Sequence, residues 1–145
     1  MIQRIQNVYL FLGALVLGAM GFFDAPWSGR AAAQFAWFVP TLIGLLVITA
    51  GTALGAIFLY EGQEQRKLQR NVVVGVQILT LVLAGVLYGG MYLAQTLAFT
   101  GPAGDILWVR SIGLLLPILA YGFFLLARRG IESDIERVES MDRIR

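Results

Sequence analysis

Residues 72–98 read VVVGVQILTLVLAGVLYGGMYLAQTLA, a run without one charged side chain. A bilayer core about 30 Å thick needs about 20 helical residues at 1.5 Å of rise each, and this run is longer. In lipid a lone strand of that length would leave its N–H and C=O groups unpaired, so helix is the conformation open to it. The stretch therefore predicts a membrane-spanning helix, and that reading sets the class of the whole chain.

Three further apolar stretches flank it, at about 5–23, 35–60 and 106–127. The first is near the minimum length, and the last includes Arg110 near its start. The breaks are DAPWSGR (24–30), the strongly charged EGQEQRKLQRN (61–71) and the Gly/Pro turn TGPAGD (100–105). Connections this short favour antiparallel neighbours. The expected fold is all-α, an integral membrane four-helix up-down-up-down bundle over residues 1–130. A charged, cytoplasmic helical tail over 131–145 follows it. No internal repeat is visible, including the inverted kind found in many transporters. The first stretch is expected to stay as a span, because bulky Phe22 and Phe23 follow Gly18 and Ala19 where a leader peptide would be cut.

Composition agrees. The 145 residues make one domain by length, and with 58% hydrophobic and 14% charged residues they lie outside the range of ordinary soluble domains. There is no Cys, which excludes disulfides, thiolate nucleophiles and zinc–thiolate sites. There is no His, which removes the commonest metal ligand, the usual general base and bis-His or His–Met haem ligation. No metal or cofactor site is expected, and a net charge of +2 gives no argument for nucleic acid. Asp24, Glu61, Glu64 and Asp105 lie in loops or at segment ends, and the other carboxylates lie in the tail. Proton-coupled transporters usually place such groups within a span, so their absence there leans against transport and enzymology alike.

Four crossings put Arg4, Arg66, Lys67, Arg70, Arg128, Arg129, Arg137, Arg143 and Arg145 on one side, and only Arg30 and Arg110 on the other. By the positive-inside rule both termini are expected to be cytoplasmic. Trp27, Trp37 and Trp108 fall at the opposite ends of the segments, where indole rings suit the headgroup layer.

Several residues stand out as candidate sites. Arg4, Arg66, Lys67, Arg70, Arg128 and Arg129 form a basic face that sets topology, binds lipid headgroups or meets an acidic partner. In the tail, Ile131, Ile135 and Val138 share a helical face, and Met141 extends it. Gly130 suggests a hinge before it, and SDIE (133–136) fits a capping box that restarts the helix. Glu139–Arg143, Asp134–Arg137 and Asp142–Arg145 are spaced for ion pairs along the helix. That stripe suits either a solvated extension or a docking helix. GTALG (51–55) and GVLYG (85–89) carry glycines spaced for close helix packing, expected mainly within the chain. Gln77 and Gln95 are candidates for hydrogen bonds between helices. Pro117 predicts a kink by removing the bond to the Gly113 carbonyl. Arg110 is expected to snorkel to headgroups, with Asp105, Asp24 or an anionic ligand as the alternative partner.

The start MIQRIQNVYLFL, the loop RKLQ (66–69), the last apolar stretch LLLPILAYGFFLLARRGI and the terminal SMDRIR resemble the domain-of-unknown-function family 4293 of small bacterial four-helix membrane proteins. The resemblance covers the whole chain. It implies that Ile2, Gln3, Arg4, Ile5, Gln6, Ser140, Asp142, Arg143 and Arg145 are the most characteristic residues. In an antiparallel bundle both ends lie on the cytoplasmic face, where they are expected to meet, with Arg4 paired to a tail carboxylate such as Asp142. Family members carry Arg or Lys just before that serine, where this chain has Glu139. The family implies no activity. The expected function is a non-enzymatic accessory or scaffold protein of the bacterial inner membrane, working through its cytoplasmic face. The alternative is a binder or transporter of a small molecule such as a lipid or quinone, with a cavity near Pro117. The expected partners are membrane lipids and a larger membrane complex or homo-oligomer.

Overall fold

Hydropathy marks where lipid ends, and helices are free to continue beyond it. The computed structural model describes residues 2–59, 63–97, 99–104 and 107–144, and of residues 2–4, 25, 28 and 63 the backbone alone. Tyr60, Glu61, Ala98, Asp105, Ile106, Arg145 and the Arg4 side chain, all used in the sequence reading, lie outside what is described. Helix α1 spans Ile2–Ala19 and closes in a 3₁₀ turn, Met20–Phe22. Two short helices follow, α2 over Ala25–Ser28 and α3 over Arg30–Gln34. The remaining helices are long: α4 over Phe38–Ala56, α5 over Gln63–Leu93 and α6 over Trp108–Ile144. Four segments are long and apolar enough to cross a membrane: Ile5–Phe22, Phe38–Ala56, Glu64–Leu93 and Trp108–Ile144. No strand occurs among the described residues.

Three boundaries differ from the sequence reading. DAPWSGR holds α2 and the first residue of α3 rather than irregular chain alone. The charged loop after α4 is largely helix, since α5 begins at Gln63. Gln, Glu, Arg, Lys and Leu are strong helix formers, so the charged run belongs to α5 although it is too polar for lipid. Helix α6 passes through Gly130 without a break, so neither the hinge nor the capping-box restart is present.

The long helices form a closed ring of contacts: α1 packs on α4 and α6, and α5 packs on α4 and α6. Leu10, Leu17, Leu42, Leu83, Leu87, Leu114 and Phe124 are fully buried at its centre. Glycines set the approach. A Cβ at Gly13 would collide with the Phe124 ring, and one at Gly90 with the Phe38 ring. One at Gly113 would stand 3.0 Å from Phe23 Cβ, and one at Gly130 2.8 Å from Gln6 Cγ. From Gln6 and Gly13 on α1 to Phe23 just after its 3₁₀ turn, the partners on α6 are thus Gly130, Phe124 and Gly113 in turn. The spaced pairs Gly51/Gly55 and Gly85/Gly89 behave otherwise: a Cβ at any of them meets nothing within 4 Å. The expectation that they pack helices within the chain is therefore corrected, for they point outward.

At the tryptophan-bearing end, α5 stops in a Schellman turn. Thr96 N–H donates to Met91 O at 2.8 Å and Gln95 N–H to Tyr92 O at 2.9 Å. Gln95 takes the left-handed position, φ 56°, that glycine usually fills. Its side chain is exposed there and bridges no helices, contrary to the sequence reading. Arg110 donates to the Thr96 carbonyl, a cation closing a helix C-terminus. The Tyr88 hydroxyl donates to the Leu114 carbonyl, beside the one that Pro117 frees, so α5 stabilises the proline site from outside α6. Trp37 and Trp108 are exposed, but Trp27 sends its indole N–H to Met20 O at 2.9 Å instead of to the headgroup layer.

Gly13→Leu or Gly90→Leu is expected to cost about 1–3 kcal/mol by overpacking. Gly51→Leu and Gly85→Leu should stay within about 0.5 kcal/mol of the parent, as exposed sites do. Unfolding in detergent measures all four, and equal losses would contradict the packing described.

Candidate functional site

Polar side chains gather at the end of the bundle that carries the start of α1 and the far half of α6. They lie where core-facing stripes run past the apolar stretches. On α5 that stripe is Gln69, Val73, Val76, Thr80, Leu83 and Leu87, all buried. Its first member sits in the charged segment, and so a glutamine is placed in the core. Gln69 is 2% exposed; its amide donates to Ala56 O at 2.8 Å and to Asn7 Oδ1 at 3.5 Å. One side chain therefore joins the start of α1, the end of α4 and the start of α5. Gln6, next to Asn7, is 3% exposed and lies on Gly130 of α6. Thr49 and Thr80 return their hydroxyls to carbonyls four residues back and tie no helices together.

Arg128 connects α6 to α5. Its Nε donates to Glu132 Oε1 at 2.9 Å and its Nη1 to Gln77 Oε1 at 3.4 Å. The bond between helices expected of Gln77 is present, with Arg128 as its partner. Lys67 Nζ lies 3.5 Å from Glu139 Oε1, across the same seam. With both side chains about half exposed, that pair contributes about 0–1 kcal/mol. Glu139 thus faces α5 and not Arg143, and Asp134 and Arg137 form no ion pair.

Of the remaining basic candidates, Arg66 is half-buried against a small pocket that Lys67, Ile135, Val138 and Glu139 also line. Arg70 donates from Nη2 to Asn71 Oδ1 at 3.4 Å, and Arg129 is exposed. The structure brings Lys67 and Arg70 to one groove with the α6 carboxylates and leaves Arg129 outside it.

The tail stripe is divided. Ile131 is buried at 1% exposure and Ile135 packs against the core, so both serve the bundle. Val138 is half-buried, whereas Met141, Asp142, Arg143 and Ile144 are exposed. What α6 offers outside the bundle is thus its last turn and a half, rather than the whole stripe from Ile131.

Asn7, Gln69 and Glu132 were not singled out from sequence, and Gln6 only as a residue characteristic of the family that the chain resembles. A signal existed for Gln69, because the α5 stripe read backwards at helical spacing leads to it. None existed for Gln6 on Gly130, since that contact joins opposite ends of the chain. The arrangement can hold polar or charged groups of lipid or protein. Among the described residues, no three carboxylates gather as metal ligands.

A model of the family described as "Domain of unknown function (DUF4293)" matches residues 2–144. No curated protein and no solved structure matches the chain.

If Gln6 and Gly130 touch, their substitutions must couple. Gly130→Leu is expected to cost about 1–3 kcal/mol alone and clearly less in a Gln6→Ala background. Equal costs in the two backgrounds, read from unfolding curves, would rule out the contact.

Proposed function

The chain belongs to the DUF4293 family, which carries no assigned activity, and from that premise we propose a non-enzymatic accessory or scaffold protein of the bacterial inner membrane. It crosses four times in up-down-up-down order, with both termini and the α6 extension in the cytoplasm. Its partners are membrane lipids and a larger membrane complex or a further copy of itself. The alternating order is supported by partner numbers that fall along α6 as they rise along α1, and by Gln69 beside Ala56 while Gly90 lies beside Phe38. The orientation is supported by the excess of Arg and Lys at the polar end.

The observation that carries the reading is the length of α6. Its 37 residues reach about 55 Å at 1.5 Å each, against a bilayer core of about 30 Å. The surplus is charged, packs on the start of α5 and ends in an exposed turn, a form suited to holding a contact surface off the membrane. The alternative of a small-molecule cavity near Pro117 draws less support. Pro117 is buried beside Leu114, Leu116 and Ala120, and the groove shared by Lys67, Arg70 and the α6 carboxylates lies at the polar end of the bundle.

Two measurements test this. Single cysteines at Ser28, Gln65 and Ser140 in this Cys-free chain are expected to react with an impermeant thiol reagent from outside the cell only at 28. Reaction at 65 or 140 would reverse the orientation. Removing residues 140–145 is expected to leave the melting temperature unchanged, because those residues lie outside the core. It is expected to strip co-purifying partners from protein drawn gently from native membrane. If every partner remains, the extension is not the contact surface.

A further inference from the structure

Between the start of α5 and the α6 extension runs an open groove of about 460 Å³, lined by Lys67, Arg70, Glu132, Ile135, Glu136 and Glu139. Its α5 wall is basic and its α6 wall acidic. Two of the acids are engaged, Glu139 by Lys67 at 3.5 Å and Glu132 by Arg128 at 2.9 Å. Arg70 and Glu136 differ from these. They line the groove from opposite walls and form no ion pair with each other. The recorded hydrogen bond of Arg70 goes to the neutral Asn71 at 3.4 Å.

Depth supplies the second observation. Gln77 lies level with Arg128, and Lys67 with Glu139, so Arg70 and Glu136 share a level between those pairs and nearer the second. The apolar run of α5 begins at Val72, two residues from Arg70, and that of α6 ends at Ala127, nine residues before Glu136. Arg70 and Glu136 therefore lie on the polar side of the apolar zone, close to its edge on α5. Headgroups occupy that level, in a layer of about 5–8 Å on each side of the hydrocarbon.

On the membrane placement proposed above, we infer that this groove binds the headgroup of a bilayer phospholipid that carries both a phosphodiester and a primary ammonium, as phosphatidylethanolamine does. The guanidinium of Arg70 suits a phosphodiester, to which it can give two parallel N–H bonds. A primary ammonium brings three N–H donors to Glu136 and the rest of the acidic wall, whereas a trimethylated one brings none. A purely anionic headgroup would meet three carboxylates on that wall. Ile135 gives the glycerol end an apolar surface. The groove is thus matched to a zwitterion with hydrogen-bonding capacity at both ends.

The full chain is to be reconstituted in bilayers of equal phosphatidylethanolamine, phosphatidylcholine and phosphatidylglycerol, extracted gently, and its retained lipids counted by native mass spectrometry. Phosphatidylethanolamine is expected to exceed phosphatidylcholine about tenfold, the worth of one charge-assisted hydrogen bond. Glu136→Gln should abolish that preference, and Arg70→Gln should release both lipids, each with an unchanged melting curve. Retention in bulk proportions, a preference for phosphatidylglycerol, or an unaltered preference in Glu136→Gln would overturn the proposal. A nitroxide at Arg137→Cys, exposed and one residue from Glu136 on α6, separates this from the membrane placement through its depth. A label outside the headgroup layer overturns both, whereas bulk proportions with the label in that layer overturn the groove alone.

Discussion

Glycine facing a large side chain on the neighbouring helix is the contact on which the arrangement depends. In lipid, helices gain little by hiding apolar surface from one another, so close fit and hydrogen bonds must hold them. The α1–α6 seam has two such fits, Phe124 over Gly13 and Gln6 on Gly130, and Phe23, just past the 3₁₀ turn that closes α1, adds a third against Gly113. Each helix supplies glycine at one place and a protruding side chain at another, which fixes register as well as distance. Phe38 over Gly90 does the same between α4 and α5.

Because the last of these fits lies at Gly130, the seam does not stop where the apolar stretch stops. It carries α6 onward, and Ile131 and Ile135 prolong the core beside the start of α5. A mid-helix glycine costs about 0.5–1 kcal/mol relative to alanine. Here the close seat for Gln6 offsets that cost, and the helix remains whole. Gln69 secures the same level by reaching Asn7 and the last turn of α4. The polar end is therefore continuous with the apolar bundle, and the charged surface beyond it is held in a set direction.

The four spans were legible because lipid demands long uncharged helices, and 72–98 could be read no other way. Helix ends were less legible. At Gln63–Asn71 hydropathy reports the edge of lipid, while helix propensity carries α5 past it. Gly130 looked like a break because its partner, Gln6, is far away in sequence. The same blindness to partners made Gly51/Gly55 and Gly85/Gly89 look like packing sites within the chain, although they face outward. Spacing shows which residues share a helix face, but not what that face meets. Among the site residues, the basic cluster was visible as composition. Its division into Lys67 and Arg70 on a groove and Arg129 in the open depends on helix rotation and on which part of α6 lies beside the start of α5.

Helix α6 runs as one unbroken strut from the tryptophan-bearing end to the exposed terminal turn. Val109 and Met141 are both well exposed, so spin labels there should not disturb packing. In protein reconstituted into bilayers, the distance between them measured by pulsed electron resonance should be single and narrow. An unbroken helix sets it at about 48 Å. A broad distribution, or a maximum well below that value, would mean that the chain hinges at Gly130, and would contradict the account.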